Sequence, residues 1–248
     1  MKSAQRPVAA SLFISDLHLA AERPAATAAL LRFLEETAPG ADHLYVLGDL
    51  FEYWIGDETL ALPMPAQVAG AFRRLAQRGT PVSFMHGNRD FLIGNAFAKA
   101  AGLTMLSDPT LVDLYATRTL LMHGDSLCTD DVDYQLFREM VRDPAWQRGF
   151  LAKPIEQRVA MAQSVRGESE RAKQVKDMAI MDASPTTVES VLRQHRYPRL
   201  IHGHTHRPAR HQHIVDGHRC ERFVLADWYD QGSYLLCDPG GCRAVSIT

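Results

Sequence analysis

The sequence has few of the features that would place it in several common classes of protein. It has four cysteines and no C-x-x-C pair, so neither a cysteine-rich zinc site nor a dithiol redox centre is indicated. No apolar run approaches the roughly eighteen residues that a membrane-spanning helix needs. The formal net charge of -2 gives no broad basic field, and nucleic acid is therefore not an expected partner.

The cysteines and the N-terminal stretch also indicate a location. Cys128, Cys220, Cys237 and Cys242 are scattered, and we expect ordinary thiols in a reducing compartment. The stretch "MKSAQRPVAASLFISDLHL" has an apolar run that stops at Asp16, which is too short for a secretory signal and is typical of a first strand. We therefore expect a cytoplasmic protein, and a membrane surface is not excluded as a partner.

What the sequence does contain is an alternation of strand-like and helix-like segments. Helical periodicity in "AATAALLRFLEETA" and "PAQVAGAFRRLAQRG" alternates with the strand patterns "HLYVLGD" and "PVSFMHGN", which predicts an α/β fold. Residues 130–195 have few strand formers and predict several helices, divided near Pro144, Pro154 and Pro185. Strand patterns return from "PRLIHGHTH" onward, so we expect one domain over residues 1–248 with a helical insertion at 130–195.

Polar side chains that bind metals recur where five apolar runs end. The candidate ligands are Asp16, His18, Asp49, Asn88, His123, His204 and His206. Four of the five clusters contain a glycine, which lets backbone segments approach closely. Because ligand sites in open α/β sheets form outside the carboxyl ends of strands, we expect the five clusters to converge in one crevice.

The chemistry of this set predicts the kind of metal site. It combines imidazoles with carboxylates and an amide and has no thiolate, which suits Mn, Fe, Zn or Co. The set is too large for one tetrahedral ion but suits two ions that share a carboxylate, an arrangement that polarises phosphoryl oxygens. The other histidines lack this context, and we expect structural roles for His43, His86, His195, His202, His211, His213 and His218.

The ordered motifs resemble those of a known superfamily. Asp16-x-His18, Gly48-Asp49, Gly87-Asn88, His123 and Gly203-His204-x-His206 are similar to the motifs of the calcineurin-like metallophosphoesterases. The resemblance implies a four-layer α/β/β/α sandwich with a helical insertion, or lid, between the fourth and fifth metal motifs. It also implies that one ion is held by Asp16, His18, Asp49 and His206. The other would be held by Asn88, His123, His204 and the bridging Asp49.

Two departures narrow the resemblance. Arg89 stands where many members have a histidine, and "GDLFEYWIGDE" stands where protein phosphatases have an arginine-glycine pair. The stretches "SDLHL", "GDLFEYWIGD", "HGNRDFLIG", "HGDSLCTDD", "AIMD" and "IHGHTHRPA" instead resemble the UDP-2,3-diacylglucosamine pyrophosphatases of lipid A biosynthesis, from about residue 11 to about residue 235.

This narrower resemblance implies an activity and a location. Water activated by two Mn²⁺ ions would attack the α-phosphorus of UDP-2,3-diacylglucosamine and give UMP and 2,3-diacylglucosamine 1-phosphate (lipid X). Asn88, Arg89 and His123 would be the catalytic residues. The enzyme would be peripheral on the cytoplasmic side of the inner membrane of a Gram-negative bacterium, with no obligate protein partner implied.

Two interpretations of Arg89 remain. A fixed guanidinium fork suits a diphosphate better than a titrating imidazole does, so Arg89 would neutralise charge on the reacting phosphates. Otherwise Arg89 would form a salt bridge with Asp90. Both interpretations hold if Asp90 orients Arg89.

The substrate-binding residues that the resemblance implies lie partly in the insertion. They are Asn88, Arg89, Asp131, Ser169, Lys173, Lys176 and His204, and Lys173 stands where some relatives have an amide. Apolar residues at helical spacing would wall an acyl groove and rest on lipid headgroups, or would only pack the insertion on the core. These are Leu136, Phe137, Met140, Val141, Trp146, Phe150 and Leu151.

The sequence is also compatible with two other functions. A different dinuclear-metal phosphodiesterase or phosphatase, acting on a soluble nucleotide or a small phosphomonoester, would need no acyl groove. A non-catalytic scaffold on the same fold would lack metal ligands, whereas every motif position here carries a competent ligand.

Overall fold

Two β-sheets packed face to face form the centre of the structure. The computed structural model describes residues 9–175, 180–229 and 232–247, apart from the side chains of 168–175. The strands are β1 (Ser11–Ile14), β2 (His43–Leu47), β3 (Val82–Met85), β4 (Thr104–Leu106), β5 (Thr110–Leu114), β6 (Thr117–Leu121), β7 (Arg199–His202), β8 (Ala209–Val215), β9 (His218–Val224), β10 (Ser233–Asp238) and β11 (Gly241–Ser246). The helices are α1 (Pro24–Arg32), α2 (Pro63–Gln77), α3 (Asn95–Ala101), α4 (Val132–Arg142), α5 (Pro144–Leu151), α6 (Ile155–Val175) and α7 (Pro185–Gln194).

The strand order places the carboxyl ends of the central strands together. The first sheet has the order β11-β10-β1-β2-β3-β4, and β1 to β4 are parallel. The second sheet has the order β5-β6-β7-β9-β8, and β6, β7 and β9 are parallel. Because parallel neighbours end at the same edge, the loops after β1, β2 and β3 lie side by side, as do those after β6 and β7.

Three apolar clusters separate the layers. Between the sheets, Phe13 of β1 stacks on Tyr45 of β2, with ring centroids 4.8 Å apart, and both pack in one cluster with Ile201 of β7. The outer face of the first sheet packs against α1, α2 and α3, and the outer face of the second packs against α7 through Val188 and Leu192. The predicted α/β/β/α sandwich is therefore confirmed.

The segment between β6 and β7 is divided into separate helices near the three prolines, as the sequence predicted. Helix α5 begins at Pro144, α6 follows Pro154, and α7 begins at Pro185, because a proline fits the first turn of a helix but not its interior. Sequence periodicity did not predict α3, which is short and begins directly after the loop that follows β3. None of the described helices has both the length and the apolar character needed to cross a bilayer.

The apolar residues of the insertion divide between two environments. Phe150 is buried, stacks on Trp146 with ring centroids 5.1 Å apart, and joins the core cluster on the first sheet. On α4, by contrast, Val132 and Leu136 are each 62% exposed and Met140 is 48% exposed. Trp146 and Phe150 therefore pack the insertion on the core, whereas one face of α4 remains at the surface.

The expectation of ordinary thiols is wrong for two of the cysteines. Cys237 and Cys242 form a disulfide, because the β10–β11 pairing register places them directly opposite each other. Cys128 and Cys220 are buried free thiols. Spacing along the sequence did not show the pair, since the register of the hairpin decides which residues face each other.

Candidate metal centre

The loops that follow five strands meet in one crevice where the two sheets join. The loops after β1, β2 and β3 belong to the first sheet, and those after β6 and β7 belong to the second. Backbone hydrogen bonds hold neighbouring loops together: Asp16 N donates to Gly48 O at 3.1 Å, and Gly203 N donates to His123 O at 2.8 Å. The structure thus brings all seven candidate ligands to one place.

Five of the seven candidate ligands have an unusual backbone conformation. Their φ angles lie in the left-handed region: Asp16 (56°), His18 (50°), Asp49 (52°), His204 (67°) and His206 (54°). Residues other than glycine adopt this region rarely, and each such residue costs about 1–3 kcal/mol. Strain of this kind persists only where the surrounding structure enforces it, and it concentrates at functional sites.

Asp16, His18 and His206 form the first group of ligands, with ligand atoms within 4.8 Å of one another. The Nε2 atoms of His18 and His206 are 3.2 Å apart, and His206 Nε2 is 3.4 Å from Asp16 Oδ1. The other ring nitrogens face carboxylates, since His18 Nδ1 is 3.2 Å from Glu52 and His206 Nδ1 is 3.6 Å from Asp227. In the tautomers that carry the proton on Nδ1, the side near a carboxylate, the two Nε2 lone pairs face each other.

Asn88, His123 and His204 form the second group. Asn88 Oδ1 lies 3.0 Å from His123 Nε2 and 2.9 Å from His204 Nδ1. His123 Nδ1 lies 2.8 Å from the carbonyl oxygen of Leu47, to which it donates. The Nε2 lone pair of a neutral His123 is therefore directed into the crevice.

Asp49 lies between the two groups. Its Oδ2 is 3.8 Å from His18 Nε2, and its Oδ1 is 3.7 Å from His123 Nε2. The backbone N–H of Arg89 donates to Oδ1 at 2.8 Å and fixes the carboxylate. Because one oxygen faces each group, Asp49 has the position that a carboxylate bridging two ions would need.

The donor arrangement fits divalent cations. Among the described residues, Asp16 Oδ1 is a buried oxygen that accepts no hydrogen bond. The facing lone pairs of His18 and His206 repel each other unless a cation lies between them. The donors are nitrogen and oxygen without sulfur, and the imidazole rings are backed by carboxylates, as is common for histidines that ligate metals.

Buried carboxylates dominate the electrostatics of the crevice. Burial would lower the pKa of His123, but the negative charges of Asp49, Asp125 and Asp16 raise it to about 9. Burial, followed by the charge of Asp49, raises the pKa of Asp90 to about 7. The same negative field that favours a proton on His123 favours a metal cation, which would displace that proton.

Arg89 and Asp90 have different partners. The Asp90 carboxylate accepts hydrogen bonds from Leu50 N at 2.7 Å and Gly87 N at 2.8 Å, and so joins the loop after β2 to the loop after β3. The guanidinium of Arg89 lies 3.9 Å from Glu52, which is itself buried beside the first group of ligands. Glu52 is thus a carboxylate beside this guanidinium, while backbone N–H groups hold Asp90.

The remaining substrate-binding residues implied by the sequence lie in the insertion. Asp131 caps α4, accepting a hydrogen bond from Tyr134 N at 3.2 Å. Ser169 and Lys173 lie on α6, but their side chains are outside the described part of the chain. Lys176 lies outside the described residues altogether.

Sequence reasoning did not single out three carboxylates of the site. Glu52 and Asp125 are buried, and Asp227 lies beside a ligand imidazole. A signal for each was present, because Glu52 follows Asp49 by three residues, Asp125 follows His123 by two, and Asp227 ends an apolar run. Their place in the site does not follow from the sequence, because their partners lie on other segments of the chain.

Two glycines permit the close approach of the loops after β2 and β3. A Cβ at Gly87 would collide with the carboxylate and the backbone nitrogen of Asp49. Gly48 has a φ of 89°, and a Cβ there would lie 2.6 Å from Gly87 and from the ring of His123. The position of Asp49 therefore depends on the absence of side chains at both residues.

Comparison with known proteins identifies the class. The family model for calcineurin-like phosphoesterases matches residues 11–208. The chain belongs to the calcineurin-like phosphoesterase family, which confirms the resemblance inferred from the motifs.

Within that family, three similar proteins carry one name. A UDP-2,3-diacylglucosamine hydrolase of Aromatoleum aromaticum is 53% identical over 231 residues, covering 93% of this chain and 94% of its own. One of Aeromonas hydrophila is 53% identical, covering 94% and 96%, and one of Xanthomonas axonopodis pv. citri is 51% identical, covering 96% and 98%. The chain is thus a homologue of the UDP-2,3-diacylglucosamine hydrolases over nearly its whole length.

Replacing Gly87 tests the metal centre. We expect Gly87→Ala to weaken Mn²⁺ binding by about ten- to a hundredfold, because the added methyl group displaces Asp49. Calorimetric titration of the metal-free protein measures this effect, and circular dichroism checks folding. Gly149→Ala is the matched control, since a Cβ at this position in α5 meets nothing within 4 Å. Unchanged Mn²⁺ binding by a folded Gly87→Ala would contradict the assignment.

Proposed function

We propose that the protein hydrolyses the pyrophosphate bond of UDP-2,3-diacylglucosamine in lipid A biosynthesis. Water supplies an oxygen to the α-phosphorus, and the bond from that phosphorus to the bridging oxygen breaks. The products are UMP and 2,3-diacylglucosamine 1-phosphate, which leaves with the bridging oxygen. The observation that carries the proposal is the convergence of two ligand groups on Asp49, with Arg89 beside them, in a homologue of hydrolases named for this substrate.

The residues assigned to the metal centre are those that the crevice brings together. Asp16, His18 and His206 would hold one Mn²⁺ ion, Asn88, His123 and His204 would hold a second, and Asp49 would bridge them. When bound, such a pair lowers the pKa of a water molecule and polarises a phosphoryl oxygen. Mixed nitrogen and oxygen donors suit manganese, although the same donors also bind iron, zinc and cobalt.

Arg89 has the position and the chemistry to bind the pyrophosphate. Its backbone N–H holds Asp49, so its side chain begins directly beside the bridging carboxylate. The side chain is mostly buried, and Glu52 lies 3.9 Å from its guanidinium, which limits the directions that it can take. A guanidinium held in this way neutralises the negative charge that the transition state spreads over the phosphate oxygens.

The helical insertion supplies a surface for the acyl chains. Val132, Leu136 and Met140 are exposed and follow one another at four-residue intervals, so they form one apolar face of α4. Asp131, which would bind the glucosamine, lies at the start of the same helix. We place this face toward the acyl chains and the inner-membrane surface, which makes the protein peripheral on the cytoplasmic side.

A substrate panel tests the proposed activity. We expect the purified protein to release UMP from UDP-2,3-diacylglucosamine with Mn²⁺, and to lose this activity after chelation. Cyclic nucleotides and p-nitrophenyl phosphate should not be turned over. Turnover of the small esters without release of UMP would instead support a phosphodiesterase or phosphatase for soluble substrates. A metal-free protein inactive on every substrate would support a non-catalytic scaffold.

Arg89→Ala separates phosphate binding from metal binding. We expect turnover to fall by roughly ten- to a thousandfold, the effect of removing one donor that stabilises transition-state charge, while Mn²⁺ content stays unchanged. Arg78→Ala is the control, because Arg78 donates to the Glu35 carbonyl at the exposed surface. Loss of Mn²⁺ from Arg89→Ala would contradict the role assigned to Arg89.

Leu136→Ser tests the acyl-binding face. Burial of a leucine side chain contributes about 1.5–3 kcal/mol, so loss of this contact should raise KM by roughly tenfold or more. The rise is expected with long acyl chains and not with a substrate whose acyl chains are truncated. Ile214→Ser, at an exposed position of β8, is the control. An equal effect on both substrates would place the acyl chains elsewhere.

A further inference from the structure

Asp125 is a fully buried carboxylate that follows the candidate ligand His123 by two residues. Its Oδ1 accepts a hydrogen bond from the backbone N–H of Ser126 at 2.9 Å. Its Oδ2 accepts hydrogen bonds from Arg138 Nε at 2.8 Å and from the hydroxyl of Tyr134 at 3.1 Å. Both donors belong to α4, the first helix of the insertion.

Arg142 connects the same carboxylate to a second loop of the metal centre. Its NH2 lies 3.6 Å from Asp125 Oδ2 and donates to the carbonyl oxygen of Gly87 at 3.0 Å. Gly87 directly precedes the candidate ligand Asn88. One side chain of α4 thus contacts the loop that carries Asn88 and the loop that carries His123.

Tyr134 connects α4 to the third member of the second ligand group. Its ring stacks on the ring of His204, with centroids 5.8 Å apart and an angle of 29° between the planes. Its hydroxyl donates to Asp125, and this hydrogen bond restrains the orientation of the ring. The ring of His204 thus contacts Tyr134 through its face and Asn88 Oδ1 through Nδ1, at 2.9 Å.

The contacts of α4 thus divide the metal centre unevenly. Tyr134 stacks on His204, and Arg142 contacts Gly87, which precedes Asn88. Asp125, which binds Tyr134 and lies 3.6 Å from Arg142, follows His123 by two residues. The first group is backed instead by Glu52 and Asp227. A change at Asp125 should therefore affect one ion and spare the other.

We infer that Asp125 is a positioning residue that binds α4 to the second ligand group, so that the insertion completes one half of the metal centre. This inference rests on the two-ion arrangement of the proposed function. It gives the insertion a second role besides contact with the lipid, because the helix that Asp131 caps is fixed relative to Asn88, His123 and His204. Substrate-binding and metal-binding groups are thereby held in one frame.

Asp125→Asn tests the inference. The amide keeps the shape of the side chain and an acceptor for Ser126 N–H. Toward Arg138, however, it presents a neutral NH₂ group in place of a negatively charged oxygen. We expect the affinity for one of two Mn²⁺ ions to fall by about ten- to a hundredfold while the other is unchanged, as measured by calorimetric titration of the metal-free protein. Arg138 and Arg142 are 21% and 23% exposed, so water can solvate their charges in the variant.

Asp216→Asn is a matched control. Asp216 accepts hydrogen bonds from Arg193 Nε at 2.7 Å and from the Tyr197 hydroxyl at 2.9 Å, so it has the same kinds of donor as Asp125. It lies at the exposed turn between β8 and β9. We expect this variant to bind both ions as the unmodified protein does.

Arg142→Met decides the matter if Asp125→Asn does not fold. It removes the contacts to Asp125 and to Gly87 O while keeping an unbranched side chain, and we expect a smaller loss at the same ion. Unchanged affinity for both ions in the folded variant would overturn the inference. An equal loss at both ions, with a lower melting temperature, would also overturn it, since that pattern indicates general destabilisation.

The titration also separates this inference from the proposed function, because it uses no substrate. A protein that binds two ions, loses one in Asp125→Asn and fails to release UMP would retain the positioning role and refute the activity. If the unmodified protein releases UMP, and Asp125→Asn and Arg142→Met bind both Mn²⁺ ions as tightly as it does, the activity is supported and the positioning role is refuted. If the unmodified protein binds a single ion, the two-ion arrangement and this inference both fail.

Discussion

Negative charge confined at the junction of the two sheets is the constraint on which the rest of the structure depends. Asp16, Asp49, Glu52, Asp90 and Asp125 are all buried around one crevice. Carboxylates in such a position are costly unless cations or hydrogen-bond donors compensate them. Backbone amides hold Asp90, and arginines of the insertion hold Asp125. Asp16 and Asp49 also accept hydrogen bonds from the backbone N–H groups of His204 and Arg89, and they face the imidazoles and the metal ions that we propose.

The fold meets this constraint through its loops. Parallel strands bring five loops to one edge, and left-handed backbone at candidate ligands turns the loops after β1, β2 and β7. Gly48 and Gly87 let two of these loops approach more closely than any side chain would allow. The strain of the ligand backbone is offset by the three apolar clusters that fix the strands, so the rigid layers carry the cost of a strained site.

In the function that we propose, the insertion connects substrate recognition to the metal centre. Helix α4 presents apolar side chains to the surface on one face and arginines to Asp125 and Gly87 on another. Arg166 of α6 reaches Glu52, so a second helix of the insertion contacts a carboxylate beside the other ligand group. The α/β core thus carries an exposed apolar helix face beside the crevice, and we propose that this face contacts the lipid.

The sequence by itself predicted which side chains meet in the crevice, the layered fold and the helices that prolines divide, because strand ends, helical periodicity and proline positions are local features. It did not determine the partners of Glu52, Asp125 and Asp227, the neighbour of Arg89, or the bond between Cys237 and Cys242. Those depend on which segments lie opposite each other after folding. Long-range packing and strand register decide them, and neither can be read from spacing along the chain.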